Sequence, residues 1–376
     1  MTKCLFFGKV PPPFTGMTVI TQTVLTLMAE SGKYEVQIIN TSSGKLQSQK
    51  WHGRIGYSVK QLFNVVNKYI LLNNALKRMQ PDVLYYVASS TFFGNASDLL
   101  MTKVAARYKV KMVAHLHNGN FRNNFEQFRL LGGGAALQVK MHKFLFGSPG
   151  LRNDLKNYIP DSKTSIVVNP IDSGLRCSSE LIEQKIDARL KQTGFILTYL
   201  SNFIESKGYK LLKEAVELLG EKAQSLQLKV RFIGAWPSKA EEESFLQSLR
   251  VSKIQGVFEH IGPVRDREKV KAYLLESDIF CLPTFYPVEA QPVSIIEAMN
   301  CGNAILSTEH ASIPEIVRHQ TDGYLVPKQN TQALSEALED MLNKQEIAHL
   351  ARNARSQYVS TFSPEVVLKQ FEQAFL

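Results

Sequence analysis

Hydrophobic and polar positions along this chain fall into blocks with two different periods. Residues 3–7 are a short apolar run, and residues 8–16 form a loop rich in proline and glycine. Residues 17–30 have helical spacing and residues 35–39 read as a strand, which completes a strand–loop–helix–strand unit. Residues 83–87 and 111–116 are two further buried strands, separated by helical segments. This alternation predicts a parallel sheet with helices on both faces. The pattern restarts in the second half, with strands at 194–200, 228–233, 279–282 and 304–307 and helices at 209–219 and 241–250. Two α/β units in series are therefore expected. The joint falls near residues 167–174, where turn residues interrupt the pattern. The pattern does not assign a last helix, roughly 364–375, to either unit.

Length and composition agree with this picture. A chain of 376 residues, 44% hydrophobic and 21% charged, suits a soluble two-domain protein. Charge adds an asymmetry. Of the net +10, residues 1–150 carry +13, from 18 Lys and Arg against 5 Asp and Glu, and the remainder carries −3. A basic first half suits nucleic acid, an anionic membrane face, or simply a solvated basic surface. Residues 58–79 read as an amphipathic helix, with Val59, Leu62, Phe63, Val66 and Ile70 on one stripe and Lys60, Lys68, Lys77 and Arg78 nearby. That helix suits either the core of the first unit or an anionic inner leaflet.

The cysteines Cys4, Cys177, Cys281 and Cys301 have no CxxC spacing. Neither a disulfide framework nor structural zinc is expected, and a reducing, cytoplasmic compartment fits. The first apolar run is too short for a signal peptide, and no stretch approaches the roughly 18 apolar residues of a membrane span. Any membrane contact is expected to be peripheral.

The segment 283–302 carries the chemistry. It follows a buried strand and opens a helix, with Pro292 suited to the first helical turn and Gly302 to the helix end. The free N–H groups at that start, around Gln291, Pro292 and Val293, form an anion site suited to a diphosphate. Glu289 precedes the helix and Glu297 lies on it. Two carboxylates at this spacing can touch different parts of one ligand, and a carboxylate facing vicinal hydroxyls is the usual ribose contact. An isolated pair would more often be two solvated helix charges.

The pair is not isolated. Glu289 and Glu297 match the E-x7-E signature of retaining glycosyltransferases of family 4, whose fold is GT-B. Around them, Leu282-Pro283-Thr284, Glu297-Ala298-Met299, Cys301-Gly302-Asn303-Ala304-Ile305, Ile313-Pro314-Glu315-Ile316-Val317 and Asp322-Gly323-Tyr324-Leu325-Val326 resemble the family's landmarks. The likeness is strong after about residue 195 and weaker before it. It implies two Rossmann-like domains facing each other across a cleft. Residues 1–172 would form the acceptor-side domain, joined by about 361–376 crossing back, and residues 173–360 the nucleotide-sugar-binding domain.

The resemblance also assigns roles. Glu297 would hold the ribose hydroxyls and Glu289 would face the donor sugar. Lys207, in Glu205-Ser206-Lys207-Gly208-Tyr209, matches the lysine that neutralises the diphosphate, a sound task where no metal does so. No Asp-x-Asp pair occurs in the chain, so no metal and no cofactor are expected. The family usually has Gly-Arg-Leu before that lysine. Here it is Ser201-Asn202-Phe203, so Asn202 donates hydrogen bonds to phosphate without a charge. Phe14-Thr15-Gly16-Met17 resembles the Gly-Gly turn, and Gly16 would let the backbone approach the donor. His117, in His115-Leu116-His117-Asn118-Gly119, matches the histidine that contacts the donor sugar, with His115 on the same strand face as second choice.

The expected activity is therefore metal-independent retaining transfer of a hexose from a nucleoside-diphosphate sugar, UDP above all. The acceptor would be a glycan or a lipid-linked acceptor in surface polysaccharide synthesis. Retention needs either front-face attack or a covalent intermediate on Glu289. An epimerase-like enzyme on the same scaffold is the runner-up. A nucleic-acid-binding module is weakest, because the basic half has no aromatic-interleaved run or helix-turn-helix pattern.

Overall fold

A computed structural model describes the chain except residues 13, 43–53, 90, 120, 124–125, 127–139 and 255, with residues 54–66, 92 and 93 as backbone only. The chain divides into Met1–Pro170 with Pro364–Leu376, and Ile171–Ser363.

Each unit is built on a six-stranded parallel sheet. In the first unit the strands are β1 (Thr2–Gly8), β2 (Tyr34–Asn40), β3 (Val83–Val87), β4 (Lys111–Leu116), β5 (Lys143–Phe146) and β6 (Thr164–Ile166), in the order β2-β1-β3-β4-β5-β6. In the second they are β7 (Phe195–Leu200), β8 (Leu228–Ile233), β9 (Phe258–Gly262), β10 (Ile279–Leu282), β11 (Ala304–Thr308) and β12 (Gly323–Val326), in the order β12-β11-β10-β7-β8-β9. Central strands read as near-continuous apolar runs because helices cover both faces. All four residues of β10 and all five of β11 are buried.

The physical consequence for a site is the direction of winding. In the second unit β7, β8 and β9 step one way, and β10 then returns to the other side of β7. The loops leaving β7 and β10 diverge and open a crevice at their carboxyl ends. The first unit reverses in the same manner between β1 and β3.

Four strands are absent from the expectations: β5, β6, β9 and β12. They are three to five residues long, and β9 has mixed burial, so none makes a distinct period. The last helix, Pro364–Phe375, belongs to the first unit. Phe371 and Phe375 meet the Tyr85 ring at centroid distances of 5.9 and 6.3 Å. Gln370 accepts a hydrogen bond from the Val168 N–H at 3.0 Å. Burying each phenylalanine contributes about 1.5–3 kcal/mol toward docking the helix on the first sheet. The core beneath the first sheet includes Leu5, Leu84, Leu116, Phe144 and Phe146, with Leu72 and Leu76 of the Arg54–Met79 helix. The rest of that helix's predicted apolar stripe (Val59, Leu62, Phe63 and Val66), with Lys60, lies outside the described side chains. Of the remaining positions, Ile70 is exposed.

Candidate active site

Lys207 and Glu289 meet at the second unit's crevice. Lys207 lies in a short turn, Glu205–Lys207, after β7, and Glu289 lies in the loop after β10. Its Nζ donates to Glu289 Oε2 at 2.5 Å, and both side chains are largely buried. Thr284 Oγ1 sits 3.2 Å from the same carboxylate oxygen, and the Tyr286 ring lies 4.7 Å from the lysine nitrogen. A buried carboxylate of this kind requires such partners.

Gly208 explains how the turn reaches the loop. The Phe285 N–H donates to Ser206 O at 2.7 Å, which ties the two together. Gly208 then adopts φ +83°, and a Cβ there would lie 2.1 Å from Pro283 O. Only glycine permits both the left-handed backbone and so close an approach.

Glu297 sits on the Val293–Asn300 helix and is buried, but it does not join Lys207 and Glu289. It pairs instead with the Arg267 guanidinium. Burial raises its carboxyl above the usual range, while Arg267 pulls it down and Asp172 adds to the rise. Arg267 was not among the expected site residues. It opens the Arg267–Glu276 helix, capped by Asp266, and stands 30 positions from its partner, so no local pattern links the two.

The remaining expectations find these places. Pro292 is the N-cap of the helix, not its first residue, so Val293 begins it. In either position its missing N–H breaks no helical bond. Gln291 is buried, and Asn202 is exposed in the loop after β7. In the first unit Gly16 is the first residue of the Gly16–Glu30 helix, which Thr15 caps in a reciprocal arrangement with Thr18. A Cβ at Gly16 would meet nothing within 4 Å. The fold itself therefore does not require glycine there.

His117 lies just past β4 and is partly exposed. Burial pushes its imidazole down to about 4, against the opposing hydrogen bond with Asn169. His115 shares its strand face, with ring centroids 3.8 Å apart. It is wholly buried, and its Nδ1 lies 2.8 Å from the Tyr85 hydroxyl. His115 is therefore a packed core residue. Asp98, on the Phe92–Ala105 helix, accepts from the N–H of Ser89 just past β3 at 2.8 Å, and burial raises its carboxyl to about 7. It was not anticipated either.

Residues 182–357 match the family described as glycosyl transferases group 1. The chain is 28% identical over 177 residues to an Escherichia coli (strain K12) protein provisionally named a colanic acid biosynthesis glycosyltransferase, covering 46% of this chain and 42% of that one. It thus spans less than half the length of that relative. A second relative is the N,N'-diacetylbacillosaminyl-diphospho-undecaprenol alpha-1,3-N-acetylgalactosaminyltransferase of Campylobacter jejuni, 24% identical over 330 residues, 83% of this chain and 82% of the other. Among solved structures, an Anabaena protein in complex with UDP-glucose superposes with a TM-score of 0.71 at 15% identity, covering 99% of both chains. That likeness establishes the fold, GT-B. The match to the group 1 glycosyl transferases lies within the second unit, over residues 182–357.

Proposed function

We propose that this protein is a retaining, metal-independent glycosyltransferase. It would move a hexose from a UDP-sugar to a glycan or lipid-linked acceptor in surface polysaccharide synthesis. The carrying observation is the Lys207–Glu289 contact at the carboxyl ends of β7 and β10, where the strand order reverses. A diphosphate entering this crevice meets a buried cation already oriented by a carboxylate and an aromatic ring. As the sugar–phosphate bond breaks, negative charge grows on the leaving diphosphate. A fixed ammonium in a poorly solvated site stabilises that charge far more than water does, with no metal required.

Glu297 would exchange Arg267 for the ribose hydroxyls, and the head of its helix at Gln291, Pro292 and Val293 would face the diphosphate with Asn202. In the first unit, Gly16 and His117 would contact the donor. Burial keeps His117 neutral at physiological pH, so it can both donate and accept hydrogen bonds to a sugar. Retention follows best by front-face attack, the departing phosphate taking the acceptor's proton. Glu289 Oε2 is already engaged by Lys207 and Thr284, which makes it a poor nucleophile.

The UDP-glucose of the Anabaena complex and the undecaprenol-linked acceptor in the Campylobacter name support the donor and acceptor classes. Exposed Ile70 and Leu71, near Lys68, Lys77 and Arg78, support docking on an anionic bilayer. Among the described residues no helix is long and apolar enough to cross a membrane.

The test is a melting-point screen against nucleotides and nucleotide-sugars. UDP at 100 times its Kd should stabilise the protein by about 2.7 kcal/mol. Lys207→Ala and Glu297→Ala should each remove the shift, and transfer should persist in EDTA. No response to any uridine nucleotide, or a glycosyl adduct trapped on Glu289, would overturn the corresponding part.

A further inference from the structure

Two of the four cysteines meet in the folded second unit although 124 positions separate them. Cys177 Sγ and Cys301 Sγ lie 3.9 Å apart. A disulfide needs about 2 Å, so closing the bond asks for roughly 2 Å of approach. The backbone around both thiols is tied through shared partners. Asn300 donates to Leu175 O at 2.7 Å and accepts from the Cys177 N–H at 3.3 Å. The Arg355 guanidinium donates to Asn300 O at 2.9 Å and to Cys177 O at 2.7 Å.

The two thiols are not equivalent. Cys177 is half-buried, so a small oxidant can reach it, whereas Cys301 is buried. The Cys301 S–H hydrogen bond favours the Cys177 thiolate and lowers its pKa to about 7, helped by Lys271 and Arg355 against burial. Cys4 and Cys281 are buried and belong to no such pair. Burial pushes Cys4 up to about 12 and Cys281 higher still.

We propose that Cys177 and Cys301 are a redox modification site that hydrogen peroxide converts to a reversible disulfide. The Cys177 thiolate attacks one peroxide oxygen and the O–O bond breaks. Sulfenic acid forms on Cys177, and the departing hydroxide recovers as water the proton lost on ionisation. Cys301 then gives up its proton, and its sulfur attacks Cys177 Sγ. The sulfenic hydroxide leaves and takes that proton as a second water. Two thiols lose two electrons, and one peroxide becomes two waters. The couple sits at the C-terminal end of the helix that carries Glu297, with the Cys301 N–H donating to Glu297 O at 3.1 Å.

The experiment treats the reduced, full-length protein with hydrogen peroxide and removes the excess with catalase. Remaining thiols are then alkylated with N-ethylmaleimide in denaturant, and the intact mass is read. The expected result is two alkylations instead of four and a mass otherwise lower by two hydrogens, both reversed by dithiothreitol. Proteolysis should then link the Cys177 peptide to the Cys301 peptide, with Cys4 and Cys281 alkylated. Cys177→Ser should abolish the link. Four alkylations after treatment, sulfinic acid on an unlinked Cys177, or a link between other cysteines would each overturn the proposal.

Discussion

A double-mutant cycle on Lys207 and Glu289 separates what the pair does for the fold from what it does for a ligand. At 2.5 Å and an effective dielectric near 20, the Coulomb attraction is about 7 kcal/mol. Removing two charges from water costs several kcal/mol per ion, so the net worth of the intact pair is small. Breaking it on one side is different, because the partner stays buried and uncompensated. Lys207→Met leaves Glu289 with Thr284 alone and should lower the second unit's stability by about 3 kcal/mol, the low end for a buried pair. Glu289→Gln should cost about 2 kcal/mol, since Lys207 keeps the Tyr286 ring and some contact with water. The double variant should lose clearly less than the sum, a coupling of about 2–3 kcal/mol. The chain has two tryptophans, Trp51 and Trp236. In a Trp51→Phe background, fluorescence during urea unfolding reports the second unit through Trp236, which stacks on Phe203 at 4.0 Å. Losses that add within about 0.5 kcal/mol would show that the side chains are not paired. The double variant should also remain without transfer despite its recovered stability. Recovered transfer would refute the assigned roles.

Four further outcomes are expected. Gly208→Ala should cost about 2 kcal/mol or more in denaturation, from a φ of +83° plus the Pro283 O contact, whereas Gly32→Ala, at φ +66° with open space, should cost only about 1 kcal/mol; equal losses would refute the close approach. Gly16→Ala should leave the melting point unchanged or slightly higher yet reduce transfer, and unchanged transfer would remove Gly16 from the donor site. Arg267→Ala should let the Glu297 carboxyl rise further, so UDP affinity measured by calorimetry should weaken with falling pH more steeply than in the wild type. For His117 the folded pKa of about 4 lies below the unfolded 6.5, so the unfolded chain binds more protons between them. Its contribution of up to about 3 kcal/mol is present above pH 6.5 and lost as pH falls to 4, and His117→Asn should flatten that part of the first unit's stability profile.

Much of the second unit was legible in the sequence because its signals are local. Strands β7, β10 and β11 are mostly apolar runs and β8 alternates apolar residues with Lys229 and Arg231, each bounded by turn residues, and the loop and helix that carry Glu289 and Glu297 follow β10 directly. Short strands such as β6, with three residues, make no period and depend on their neighbours for their existence. His115 and His117 look alike at the end of β4, and only packing separates the buried, Tyr85-bonded ring from the partly exposed one.

Sequence therefore determined the two α/β units, the order of most of their elements and the residue types proposed for phosphate and ribose recognition. Each of these rests on spacings of a few residues, which the chain's own periodicity records. Tertiary structure decided the partners: Lys207 with Glu289, Arg267 with Glu297, Cys177 with Cys301, and the last helix with the first sheet. Those contacts join positions 30 to more than 100 residues apart, and their energies depend on burial and distance, which exist only once both sheets have formed.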